Sequence, residues 1–277
     1  MTMVHRSQAR GLCSAVALAL VLCVASAAFF CANAFDGTPS ATQPAEMTPG
    51  NAVKLGTKAY REGNIREAVD RWTAAAEAGH AVAQWRLARM FADGKGVPRD
   101  DAKAFHWFKM IVDNHAEDEP GTMQGQIAGR AFTQLGAYYR EGIGGELKSD
   151  MPMAWRMYYQ AASIFGDTEA QYQLGNMYLE GEGVEKNAQL AANWLRNAAE
   201  KGHARAQAAL GNLMFANSED APRRRVEGLM WLSLARNQAK KNDDAWIVSS
   251  FEDAYTLASD EERMNAANNV KRWQKQP

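Results

Sequence analysis

Apolar and polar residues along this chain recur with the period of a helix, and one pattern returns several times. Leu87, Leu135 and Leu174 each stand seven residues before a glycine, at Gly94, Gly142 and Gly181. An aromatic stands three before each of these glycines, at Phe91, Tyr139 and Tyr178, and Tyr60 precedes Gly63 in the same way. Positions i, i+4 and i+7 share one helix face, so leucine and aromatic mark a buried stripe that the glycine ends. A fourth copy reads Leu210, Met214 and Asn217. Asn is the next residue after Gly to tolerate the left-handed conformation. After each glycine come a short loop and a second helical pattern carrying Trp72, Trp107, Trp155, Trp194 or Trp231. These tryptophans read as core residues at one fixed repeat position.

The corners between units are spelled nearly alike. Residues 75–84 read Ala-Ala-Glu-Ala-Gly-His-Ala-Val-Ala-Gln, and residues 198–207 read Ala-Ala-Glu-Lys-Gly-His-Ala-Arg-Ala-Gln. A looser copy runs from Gly166 to Gln171. Gly79, Gly166 and Gly202 sit where a helix end favours a residue free to adopt positive φ. Self-similarity at this period means a repeat array. The Trp spacings of 35, 48, 39 and 37 place one long insertion between the second and third units, within about residues 113–129. It includes His115 to Gly121 and reads as an exposed acidic loop. Each helix pair buries its apolar face only against the next, so an all-α solenoid is expected.

The chain then divides into a segment 1–34, a linker 35–50 rich in proline, a repeat region 51–242 and a C-terminal pair of helices in 243–277. Residues 243–258 form one amphipathic pattern with Trp246, Phe251 and Tyr255. Ser259 and Glu262 have capping-box spacing for a last helix ending near Trp273. This pair reads as a cap with a polar outer face.

The run Ala-Gln-x-x-Leu-Gly-x-x-Tyr-x-x-Gly-x-Gly-Val, followed by a Trp helix, Ala-Ala and Gly-His, resembles the Sel1-like repeat. That repeat is a longer-looped relative of the tetratricopeptide repeat. The third unit fits best, with Ala170-Gln171, Leu174-Gly175, Tyr178, Gly181, Gly183-Val184, Trp194 and Ala198-Ala199. The unit at Gly63-Asn64 lacks the long loop, and Ala88 stands where the family has glycine. The resemblance covers about residues 52–240 and implies a right-handed solenoid of helical hairpins.

Residues 1–34 contain no Asp or Glu, carry Arg6 and Arg10, and hold an apolar run from Leu12 to Phe30. With Ala32-Asn33-Ala34 before Phe35, they read as a cleaved secretory signal peptide and place the protein in the periplasm. The alternative is a retained membrane anchor. All three cysteines fall in this segment, so the processed chain has no thiol and no disulfide. Losing Arg6 and Arg10 from 31 basic residues leaves 29 against 32 acidic ones, a net charge of −3. That balance gives no electrostatic case for nucleic acid.

No catalytic constellation is spelled out, and no cofactor or metal is expected. The pairs Gly94/Gly96, Gly142/Gly144 and Gly181/Gly183 follow helical patterns rather than strands, which excludes a dinucleotide loop. His80 and His203 occupy equivalent corners and read as helix-terminal hydrogen-bonding groups. His115 with Glu117, Asp118 and Glu119 lacks the spaced ligands of a calcium loop and reads as a solvated run. Arg223-Arg224-Arg225 is either a solvated turn or a contact for an acidic partner.

In tetratricopeptide-type units the first helix lines the concave face, exposing positions two before and two after the repeat leucine. Here these are Trp85, Thr133, Tyr172 and Ala208, then Arg89, Ala137, Asn176 and Asn212. Trp85, Arg89, Tyr172 and Asn176 have the composition of a protein-binding hot spot. Alternatively, Trp85 and Tyr172 pack on an adjacent unit or the linker.

A signal peptide, no cysteine beyond it, and the segments Gly228-Leu-Met-Trp-Leu232, Trp246-Ile247 and Arg272-Trp273 resemble the ExoR family of periplasmic negative regulators of exopolysaccharide production. The resemblance implies a non-enzymatic regulator in ExoS/ChvI-type two-component signalling. Its partners would be the periplasmic domain of a sensor histidine kinase, held inactive, and a periplasmic protease that ends repression. A repeat scaffold for envelope complexes is the alternative. A β-lactam-binding or hydrolysing relative is a poorer match, because those are disulfide-stapled.

Overall fold

A small residue follows each repeat leucine, at Gly56, Ala88, Gly136, Gly175 and Gly211. These positions set how closely two helices approach. A Cβ on Gly56 would stand 2.7 Å from the Trp72 ring. On Gly136 and Gly175 it would stand 2.6 Å from Tyr158 and from Leu195, and on Gly211 2.7 Å from Leu232. The small residue is thus the hole that a large side chain of the neighbouring helix fills.

The structure is a computed structural model that describes residues 47–216, 221–240 and 244–275. The expected signal peptide, the cysteines, linker residues 35–46 and Asn217 lie outside the described residues. Residues 46–277 form one compact unit. Among the described residues there are twelve helices, and the one β-bridge joins Ile143 to Leu147 inside a loop.

The helices pair as hairpins in chain order: α1 (Pro49–Arg61) with α2 (Ile65–Glu77), α3 (Ala81–Asp93) with α4 (Asp101–His115), and α5 (Met123–Glu141) with α6 (Met151–Ser163). They continue as α7 (Thr168–Glu180) with α8 (Ala188–Glu200), and α9 (Ala204–Ala216) with α10 (Pro222–Gln238). Each hairpin packs on the next. Helices α11 (Ala245–Leu257) and α12 (Asp260–Trp273) both close onto α10. The architecture is the expected all-α solenoid of hairpins.

Two backbone locks explain the repeated letters. The first closes the loop inside a hairpin. The amide N–H groups of Asp100, Asp150 and Asn187 donate to the carbonyls of Phe91, Tyr139 and Tyr178 at 3.0, 2.7 and 2.9 Å. The same three residues cap the next helix through their side chains. The second lock joins successive hairpins. Nε2 of Gln84, Gln171 and Gln207 donates to the carbonyls of Ala76, Ala162 and Ala199 at 3.0, 3.2 and 3.0 Å. These are carbonyls at the ends of helices, which have no partner within their own helix. The glutamines are buried, and at Ala76 and Ala199 the contact joins a turn amide, Gly79 or Gly202, that donates to the same carbonyl.

Several expectations need correction. The tryptophans do not share one position. Trp72 fills the hole at Gly56; its counterparts are Phe108, Tyr158, Leu195 and Leu232, and none of the five is more than 3% exposed. Trp107, Trp194 and Trp231 stand one residue earlier, and Trp155 stands three earlier. One residue turns a helix by about 100°. Trp107 and Trp231 are still buried, whereas Trp155 and Trp194 are half-buried, and Tyr159 lies between these two with ring centroids at 4.9 and 6.1 Å.

The insertion is mostly helical, because α4 runs to His115 and α5 begins at Met123. Only residues 116–122 form the loop. His115 is not a loop residue; its Nε2 lies 3.0 Å from the Gly79 carbonyl and its Nδ1 2.8 Å from Asp118. The linker is shorter than expected, since Pro49 and Gly50 are helical and Thr48 caps α1. In the cap, Ser259 and Glu262 form the capping box. Arg225, from the triple-arginine run, is tied to Glu262 at 2.7 Å. The outer face of this pair is not wholly polar, because Trp246, Tyr255, Leu257 and Met264 are exposed.

Candidate functional site

The four residues expected on the first-helix side fall into two grooves rather than one surface. Trp85 and Arg89 line a groove of about 250 Å³ where α1, α2 and α3 meet, with Tyr60, Trp72 and Arg86. Tyr172 and Asn176 line a second groove of about 430 Å³ among α7, α9 and α11, with Leu179, Asn212 and Trp246.

The row two before the repeat leucine is less open than expected. Thr133 and Ala208 are buried, and Thr133 donates to Asp167 at 3.0 Å in the next unit. Stacked hairpins place this row between neighbouring first helices, where only a long side chain reaches solvent. Trp85 and Tyr172 do so in part. Trp85 is half-buried and meets Phe108 edge-on, with centroids 5.5 Å apart. Tyr172 stacks on His203 of the following unit at 5.1 Å. Each ring thus lines a groove and also packs on a neighbouring ring.

In the first groove, Arg89 is bound to Asp93 at 2.9 Å, and Lys95 shares that carboxylate at 3.1 Å. Arg86 is different: its guanidinium lies over the Trp72 ring, and its Nε is buried with no partner. Burial first, and Arg61 second, hold this guanidinium below its usual value. Arg86 was not among the expected site residues. It lies one residue before Leu87, a position read only as helix.

The second groove gains Trp246, which is 39% exposed on α11. The pattern Ile247, Phe251, Ala254 and Ala258 is the inward face of that segment, so period alone leaves Trp246 outside. Asn212 lines this groove and donates to Ser250 of α11 at 3.1 Å.

The corner histidines differ in their bonding. His203 Nδ1 accepts from the Ala206 N–H at 3.1 Å, and its Nε2 lies 3.0 Å from Glu169. An accepting Nδ1 puts the proton on Nε2. His80 has a buried Nδ1 without a partner. Among the described residues, no three His, Cys, Asp or Glu side chains gather to hold a metal ion. Among them, too, no helix is long and apolar enough to cross a membrane.

Comparison with known proteins agrees with this geometry. The model of the Sel1 repeat matches residues 81–114, 133–163, 168–203 and 204–239. The exopolysaccharide production negative regulator of Rhizobium meliloti (strain 1021) is 37% identical over 247 residues, 89% of each chain. The protein of the same name in Rhizobium leguminosarum bv. viciae is 37% identical over 224 residues, 80% of this chain and 81% of that one. Among solved structures, a Sel1 repeat protein from Oxalobacter formigenes aligns with a TM-score of 0.57 at 26% identity, over 72% of this chain and 77% of that one. A protective antigen of uropathogenic Escherichia coli displaying an SLR fold aligns with a TM-score of 0.64 at 24% identity, over 82% of this chain. The alignment spans 45% of that antigen, and the likeness is one of fold.

Proposed function

This chain belongs to the family of exopolysaccharide production negative regulators and is built of Sel1 repeats, and from that membership we propose that it acts by binding a protein partner rather than by catalysis. The partner is the periplasmic domain of a sensor histidine kinase of the ExoS type, which the bound regulator keeps inactive. The chain reaches that compartment by export, with cleavage after Ala34, and a periplasmic protease ends repression by degrading it.

The observation that carries this reading is the pair of aromatic grooves. Each presents a half-buried ring beside polar groups, Trp85 with Arg86 and Tyr172 with Asn176. Large rings and arginine in partly desolvated grooves are the usual anchors of protein interfaces. Among the described residues that line them there is no serine, threonine or cysteine beside a histidine.

The test pairs binding with a cell readout. The purified chain should bind the kinase's periplasmic domain in titration calorimetry. Replacing Trp85 and Tyr172 by Ala should weaken binding by about thirtyfold, the equivalent of about 2 kcal/mol. Both rings touch the core, so the thermal midpoint is measured alongside. Deleting the gene should raise exopolysaccharide and switch the kinase on. A deletion that leaves both unchanged sinks the regulator reading, and a kinase domain that does not bind sinks the partner. Mass spectrometry of the host's protein should give Phe35 as the first residue; an intact N-terminus would mean a retained anchor.

A further inference from the structure

Arg86 is costly to the fold as it stands. Its guanidinium sits 5.3 Å from the centroid of Trp72, and its Nε is buried without an acceptor. The one acid of the groove, Asp93, is already taken by Arg89 and Lys95. Arg61 adds a second positive charge nearby, and burial with Arg61 disfavours the charged form of Arg86. A partly desolvated cation with no anion loses solvation that the Trp72 ring face repays only in part. The loss is recovered if a ligand brings the counter-ion. The surrounding walls are apolar, from Tyr60, Trp72, Trp85 and Met90, and the space of about 250 Å³ suits a side chain rather than a folded element.

We propose that this groove is a receptor for a Glu or Asp side chain, flanked by an apolar residue, on a protein partner, with Arg86 as the counter-ion. The carboxylate pairs with the guanidinium, whose planar fork favours such an acceptor, and the apolar neighbour lies against the rings. Arg89, committed to Asp93, is not the anion-binding group. The proposal rests on the reading of this groove as a partner-binding surface but on no particular partner.

The probe is a pair of blocked pentapeptides, Ser-Leu-Glu-Leu-Ser and Ser-Leu-Gln-Leu-Ser, titrated into the full chain with tryptophan fluorescence as the signal. The Glu peptide should bind at least about tenfold more tightly than the Gln peptide. Arg86→Met keeps an apolar stem over Trp72 and should abolish that difference. Its thermal midpoint should equal or exceed that of the wild type, because an unmatched cation is gone. Arg86→Lys keeps the charge without the fork and should retain an intermediate preference. Equal binding of the two peptides, absence of saturable binding to either, or an unchanged preference in Arg86→Met overturns the proposal. So does a midpoint in Arg86→Met that falls by several degrees, since the guanidinium would then be a fold element. If the Glu peptide binds through Arg86 while the kinase domain does not bind at all, the site stands and the kinase partner is wrong.

Discussion

The corner at residues 75–84 and the corner at residues 198–207 are spelled nearly alike, yet they share only half of their chemistry. Both close through a positive-φ glycine, Gly79 at 82° and Gly202 at 84°. Both are locked by a buried glutamine that donates to an alanine carbonyl at 3.0 Å. The histidines in between part company. His203 caps α9 and meets Glu169, whereas His80 leaves a ring nitrogen buried and unpaired. The first corner is braced instead from outside, by His115 on the Gly79 carbonyl. A repeated motif thus preserves the backbone's hydrogen bonds and leaves its side-chain partners to drift. Identical letters establish equal geometry and do not establish equal roles.

The strongest test of the shared half is Gly79→Ala beside Gly202→Ala. Nothing stands within 4 Å of an added Cβ at either glycine, so only the left-handed backbone is charged, about 1–2 kcal/mol each. Gln84→Leu and Gln207→Leu come next. Each removes the side-chain donor from an alanine carbonyl that keeps its turn amide, from Gly79 or Gly202, and should cost about 1 kcal/mol in denaturant unfolding. Gln207→Leu also strips Gln238 of its acceptor, so the two losses should differ by no more than that one bond, and a larger difference would break the equivalence.

The divergent half should show in His203→Phe, which loses a cap and should cost about 1 kcal/mol. His80→Phe should be neutral or slightly stabilising, because it removes an unpaired polar atom. The smallest effect is one of pH. Burial pushes the Glu169 carboxyl up, but hydrogen bonds from His203 and Gln173 outweigh it and hold the group below its usual value. A depressed carboxylate stabilises the fold above its unfolded pKa, and that contribution is lost as pH falls through the folded one. Thermal midpoints across the acid range should therefore fall less in His203→Phe than in the wild type. The difference should stay under about 1 kcal/mol, since Glu169 is partly exposed.

The fold was legible because its determinants are local and repeated. Leucine, aromatic and glycine at fixed spacing gave the hairpins, and Ser259 with Glu262 gave the last helix start. The tryptophans misled because Trp is large wherever it stands. The residue that fills the hole is the one facing the small residue after each leucine, and it is Trp only at Trp72. The site was half legible. Position in the repeat singled out Trp85 and Tyr172, and the structure separates them into different grooves. Arg86 and Trp246 were hidden for opposite reasons. The lack of a partner for Arg86 depends on where Asp93 spends its charge, which no linear pattern records. Trp246 reaches its groove only because α11 folds back beside α9.

Three of the hairpin loops are closed end to end by the same amide-to-carbonyl bond, although the stretch 142–149 is two residues longer than 94–99 or 181–186. The staple works as an insulator. Length gained inside it is absorbed locally, as at the Ile143–Leu147 bridge, while the amide-to-carbonyl bond that closes the loop stays the same. Descendants of such a gene can try new loops one at a time without renegotiating the core. The loops are then the parts of the molecule free to record its evolutionary history, while the helices stay bound to one design.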